Sequence, residues 1–234
     1  PLGSDAIAGG RYYGIGNDFM GILLAASVIF ISILVNKVNI NTYLKTFLGF
    51  IFLLFISLAI GHPSYGANVG GLITSLVTAG VFILFMTNRR ISLRTLAIIG
   101  VLAIVGVIGV ARLDYLLSSS PSHAGKAINS LLTGGYQVFF SIVKTKLTIL
   151  ANTLFTSSWS ILMLIFIAFL LYVWLKGRET LALMAIKTPS IMNSIRILII
   201  SGITVFIVND TGVIAFALIL TYISALLWVG VNEN

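Results

Sequence analysis

The sequence predicts an all-α fold, a polytopic membrane helix bundle of about seven transmembrane helices with the N-terminus outside and the C-terminus inside. Three observations predict it. The 234 residues are 59% hydrophobic and 9% charged, with a mean hydropathy of +1.11, whereas soluble domains carry about 25% charged residues. Apolar runs long enough to cross a bilayer, which takes about 20 residues, recur along the whole chain. The basic residues collect in short stretches between those runs, as the positive-inside bias expects. The net charge of +8 is therefore read as topology, and no nucleic-acid partner is expected.

Taken in order, Pro1-Leu2-Gly3-Ser4 reads as the scar of a cleaved expression tag. The first methionine is Met20, inside an apolar run. We therefore expect a piece of a longer chain, or a chain whose signal sequence has been replaced. Residues 5–17 form an outer N-terminal segment, 18–230 a single transmembrane domain and 231–234 a cytoplasmic tail. The spans are Asp18–Val35, Leu44–Ile60, Gly66–Met86, Leu96–Val110, Trp159–Leu175, Ile195–Val208 and Gly212–Val229, of which the sixth is the shortest. Residues 112–158 make a long outer segment. Within it Ala127–Leu132 and Tyr136–Leu150 read as amphipathic helices lying in the interface, or as a re-entrant hairpin. The inner segment 176–194 holds a further interfacial turn broken at Pro189.

Orientation follows from the basic residues. Lys37, Lys45, Arg89, Arg90, Arg94, Lys176, Arg178, Lys187 and Arg196 fall on one side. Arg11, Arg112, Lys126, Lys144 and Lys146 fall on the other, mostly in the long segment, where they count less. Asp5, Asp18, Asp114 and Asp210 lie on that second, outer side, and Glu179 and Glu233 lie inside.

This topology gathers the polar and glycine-rich stretches at the outer face: GRYYGIGNDFMG (10–21), GHPSYGANVGG (61–71), ARLDYLLSSSPSHAGK (111–126), NTLFTSSW (152–159) and VNDTG (208–212). Four spans begin there. A helix N-terminus carries unpaired N–H groups and about half a positive charge, so with Arg11, Arg112 and Lys126 the face is suited to an anion, phosphate above all. The candidate ligand-binding residues are Arg11, Asn17, Asp18, His62, Asn68, Arg112, Asp114, His123, Lys126, Asn209 and Asp210. Each has a plainer reading. Asp18, Asn68, Asp210 and Thr211 also suit helix caps, and Arg112 and Asp114 also suit a pair with each other. Tyr13-Gly14-Ile15-Gly16-Asn17 and Tyr65-Gly66-Ala67-Asn68 echo one another, as a duplicated helix pair would. The chain has no cysteine, neither His62 nor His123 stands at metal-ligand spacing, and no cofactor is expected.

The stretches GRYYGIGNDFMG, HPSYGANVGG, LD…SHAGK and VNDTG resemble a membrane module of uncharacterised bacterial multi-pass proteins with motifs of the form RYYGIGNE-Y-MG, THLGR and NDSG. The resemblance covers Arg11 to Leu220. Asp18 stands where that pattern has Glu, and SHAGK stands for THLGR. It implies a bacterial cytoplasmic membrane and, in some members, an upstream extracytoplasmic domain resembling the alkaline-phosphatase superfamily; it carries no activity. In arrangement, though not in motif, the chain is also similar to ligases and polymerases of lipid-linked glycans, which handle polyprenyl phosphates with outward-facing arginine and histidine.

Three functions follow. The chain binds an anionic, phosphate-bearing lipid or solute at the outer face, with a polyprenyl phosphate among the candidates. Alternatively it is an envelope enzyme on a lipid-linked substrate, with His123 or His62 as base and Asp18 or Asp210 orienting it. Or it is an anchor for an upstream domain of the same longer chain. Mid-span positions offer little beyond Ser and Thr, which argues against alternating transport.

Overall fold

In lipid, a chain that leaves backbone N–H and C=O groups unpaired loses several kcal/mol for each, so only helices and closed barrels span. The computed structural model follows that rule. It describes residues 14–118 and 122–232, without the side chains of residues 123, 124, 132, 139 and 232. Nine helices occupy these residues: α1 (Asn17–Lys37), α2 (Thr42–Gly61), α3 (Val69–Met86), α4 (Leu93–Leu117), α5 (His123–Thr156), α6 (Ser158–Lys176), α7 (Arg178–Lys187), α8 (Pro189–Val208) and α9 (Gly212–Asn232).

The seven expected spans coincide with α1, α2, α3, α4, α6, α8 and α9. The sixth is not short. Pro189 starts α8 at its first position instead of breaking a turn, and the helix runs for 20 residues. Arg196 lowers the apolar character of that first half, and its side chain is exposed. The segment between α6 and α8, expected to hold a turn, is a full short helix, α7, with Met184 buried against Gly230 near the end of α9.

Eight helices are long and apolar enough to cross a membrane, the eighth being the Thr133–Thr156 part of α5. Contacts decide how α5 runs. Its first turn packs on Asp114 and Ala111 near the end of α4. Lys146 reaches Asp210 in the α8–α9 turn, at 3.6 Å. The Thr153 carbonyl accepts from Ser160 in the first turn of α6, at 3.2 Å. All three anchors lie at the end of the bundle where α1, α3, α6 and α9 begin. So α5 starts and finishes at one end of the bundle, whereas the other seven candidate spans run from one end of it to the other. The two helices expected at 127–132 and 136–150 are present as the two arms of α5, which meet at a kink at Gly135, whose backbone (φ 65°, ψ −155°) is open to glycine and strained for other residues.

Packing sorts the helices into a core and a flank. Half or so of the spanning part of α1, α3, α8 and α9 is buried, against 17% for α4 and 11% for α6. Within the core α1 packs on α2, α8 and α9, while α3 packs on α2 and α8. Small residues allow this approach. A Cβ on Gly21 would stand 3.0 Å from the Ala215 carbonyl oxygen, so the α1 and α9 backbones nearly touch. Between α3 and α8, the buried Thr78 and Ser201 hydroxyls meet at 2.7 Å. On the flank α4 leans on α3 and α6 on α9.

Gly21→Val therefore wedges α1 from α9. Overpacking of this kind costs about 1–3 kcal/mol. We expect a lower thermal midpoint in detergent for this variant, and an unchanged one for Gly100→Val, where a Cβ meets nothing within 4 Å. Equal midpoints for the two variants would contradict the packing.

Candidate functional site

The polar end is organised by three asparagines that end apolar runs. Asn68 precedes α3 and accepts at Oδ1 from the Gly71 N–H, 2.8 Å, capping the helix. Its Nδ2 donates to the Ile15 carbonyl at 3.1 Å and to Asn17 Oδ1 at 2.8 Å. Asn209 Nδ2 donates to the same Asn17 oxygen at 2.8 Å. Asn17 Nδ2 in turn donates to the Thr211 hydroxyl. The backbone partners fix the amide orientations: an N–H only donates and a carbonyl only accepts, so the assignment propagates from Gly71 and Ile15 through the whole set. Asn68 is fully buried and Asn209 nearly so.

Local backbone brings these side chains together. The Ile15 N–H donates to the Gly66 carbonyl at 2.8 Å, and Gly14 (φ 87°) passes so close to Gly66 that a Cβ there would collide with the same carbonyl. The two echoing sequence stretches are thus packed against each other, and their asparagines are bonded. The His62–Asn68 turn folds on itself, with the His62 carbonyl accepting from Tyr65 and Ala67 and the Asn68 N–H donating to Ile60, all at 3.0 Å. A Cβ on Gly70 would stand 2.7 Å from Asn209 Cγ, so Asn209 lies directly against the first turn of α3.

Beside this tie stand two acids. Asp18 lies in the first turn of α1, where a negative charge suits the helix dipole. It is not the cap; Gly16 holds that position, without a side-chain bond. Its Oδ1 is buried and has no hydrogen-bond partner. Asp210 accepts from the Thr211 N–H at 2.9 Å and pairs with Lys146. Asn209 ends α8 as its C-cap.

A second group fastens α5 to α4. The Asp114 carboxylate accepts from the Ser122 N–H at 2.9 Å, the Ser122 hydroxyl at 2.7 Å and the Ser118 hydroxyl at 3.0 Å. An acid at the C-terminal turn of α4 opposes that helix's dipole, but here it faces the N-terminus of α5, which favours it. Gly125 makes the approach possible, since a Cβ there would stand 2.6 Å from Asp114 Oδ2. Arg112 and Asp114 each take other partners. The guanidinium donates to Asn129 Oδ1 at 3.2 Å and lies 5.8 Å over the Tyr115 ring. His62 is an electrostatic neighbour of Asp114. Its Nδ1 accepts from the Ser64 N–H at 3.1 Å, which leaves the proton on Nε2.

Of the residues singled out from sequence, Asn17, Asp18, Asn68, Asn209 and Asp210 meet around the start of α1, Arg112 and Asp114 each bond a residue at the start of α5 or just before it, and His62 bonds within its own turn. Lys126 is exposed on α5. Arg11 and the His123 side chain lie outside the described residues. Lys146, Asn129, Ser118 and Ser122 take part without having been singled out; Lys144 and Lys146 were read only as headgroup-facing. Among the described residues no group of three or more His, Cys, Asp or Glu is placed to hold a metal ion.

Because Asn17 and Asn209 share one bond inside one network, their contributions are coupled. We expect Asn17→Ala and Asn209→Ala each to destabilise the chain, with the double variant departing from additivity by about 0.5–3 kcal/mol. Simple additivity in thermal or denaturant unfolding would mean that the tie carries no joint energy. Compared with protein-family models, with curated proteins and with solved structures, the chain finds no match.

Proposed function

We propose that the chain is a bacterial multi-pass membrane module whose polar end lies on the extracytoplasmic side of the cytoplasmic membrane and binds an anionic, phosphate-bearing headgroup. The orientation is supported by the opposite end, where Lys37, Lys45, Arg89, Arg90, Arg94, Lys176, Arg178, Lys187 and Arg196 all lie, as a cytosolic face requires. The observation that carries the binding role is the course of α5. Held to the bundle at Asp114, Asp210 and Ser160, it brings Lys126, Lys144 and Lys146 to the same end as Arg112. A helix so held lies at headgroup depth, where exposed ammonium groups attract phosphate.

The asparagines serve this role indirectly. Their amides are taken up by one another, so they build the platform, and the basic side chains above it meet the ligand. His62 suits the same role, because with Nδ1 accepting from Ser64 its other ring nitrogen is a donor rather than a base. That favours anion binding over proton abstraction and leaves the envelope enzyme as the second reading.

A basic residue near a charged surface contributes about 1 kcal/mol, so two contribute roughly 30-fold in affinity. In phosphatidylcholine nanodiscs doped with phosphatidic acid, native mass spectrometry should find phosphatidic acid retained by the chain. The Lys144→Gln/Lys146→Gln variant should retain it far more weakly. Undiminished retention in that variant would overturn the reading.

A further inference from the structure

The loop between α3 and α4, at the end of the bundle opposite the asparagines, runs Thr87-Asn88-Arg89-Arg90-Ile91-Ser92. Arg89-Arg90 is the one pair of adjacent arginines in the chain, and Ser92 follows it at the third and second positions. Residues 89–92 belong to no helix, and Arg89, Arg90 and Ser92 are exposed, as are Leu93 and Arg94 beyond them. Other hydroxyls at this end are placed differently. Thr87 and Thr188 donate to the carbonyls of Ile83 and Met184 in their own helices, and no arginine pair precedes either.

Two plain roles are already filled here. Basic residues in the loop suit a cytosolic face, and Ser92 caps α4 by accepting from the Thr95 N–H at 3.1 Å. Neither role requires the hydroxyl to stand open, on extended backbone, just behind the arginine pair. Ser92 has φ −115° and ψ 156°, the strand-like form in which a protein substrate lies across a kinase. Arg94 in the first turn of α4 places that turn outside the hydrocarbon, since a charge at depth is expensive. The segment from Arg89 to Arg94 is therefore within reach of a soluble enzyme.

The same place suits the product. A phosphate on Ser92 Oγ stays beside the N–H groups that open α4, with the Thr95 hydroxyl now 2.8 Å from that oxygen. It carries a charge of about −1.5 to −2, which a helix N-terminus and neighbouring arginines favour.

We propose that Ser92 is a phosphorylation site, modified by a serine kinase that reads arginines ahead of its target. Ser92 Oγ attacks the γ-phosphorus of a nucleoside triphosphate. The new O–P bond forms as the bond to the β–γ bridging oxygen breaks, the hydroxyl proton passes to the base of the kinase, and nucleoside diphosphate leaves. The nucleotide is cytosolic, so the site rests on the orientation given above.

The test presents the whole chain in nanodiscs, where both faces are open, to the catalytic subunit of cyclic-AMP-dependent protein kinase with magnesium ATP. We expect one phosphoryl group per chain by intact mass, mapped to Ser92 by peptide sequencing. Ser92→Ala should abolish it. Arg89→Gln/Arg90→Gln, which keeps the hydroxyl and the cap, should slow it at least tenfold. Hydrogen exchange at the Thr95 amide should slow several-fold once the phosphate is on. No incorporation into the parent chain, incorporation elsewhere, or an undiminished rate in the arginine variant overturns the site. Sealed membrane vesicles separate this from the orientation. Labelling of inverted vesicles alone supports both. Ser92 labelled in nanodiscs but only in right-side-out vesicles removes the orientation and, with it, the supply of nucleotide and the proposal.

Discussion

The buried amide tie joining Asn17, Asn68 and Asn209 is the constraint on which the polar end depends. Away from water, an amide with an unmet donor or acceptor costs about 1–3 kcal/mol, and the only partners within reach are other buried polar groups. The three asparagines meet that demand from three different helix junctions: the start of α1, the start of α3 and the turn between α8 and α9. Pairing them fixes the relative height of four helices at once. Greasy packing alone fixes height poorly, because one apolar side chain slides past another with little penalty, whereas these bonds exist only in one register.

With that register set, the remaining polar groups fall into place at one level. The α8–α9 turn presents Asp210 to Lys146, and the end of α4 presents Asp114 to Ser122 at the start of α5. The long helix α5 is then attached at each of these places instead of being threaded through the bundle. Its composition alone qualifies part of it as a span. Its partners, all at one end, decide otherwise. Hydropathy measures what a segment tolerates; the contacts determine where it lies.

The legible part of this architecture is the part governed by solvent. Seven apolar runs between basic loops predict the seven end-to-end helices, because lipid acts on each run separately. The glycine at 135 sits in the gap left between the two expected interfacial helices, so even the bend was visible as a break. Less was visible wherever one helix must know its neighbour. Asn17, Asn68 and Asn209 stand out as polar residues at the ends of apolar runs, but nothing in a single run says that their amides face each other instead of a ligand. Asn129 and Lys146 look like ordinary polar residues of an amphipathic stretch, since their roles depend on how α5 is set against Arg112 and Asp210. The start of α8 differs because Pro189 reads as a breaker in a single sequence, whereas at the first helical position its missing N–H removes a group that has no partner in the helix anyway.

The bend at Gly135 has a mechanical consequence. It divides α5 into two stiff arms with separate moorings, one on α4 and the other on the α8–α9 turn and α6. Across that break neither arm inherits its direction from the other's helix axis, so each lies where its own mooring puts it.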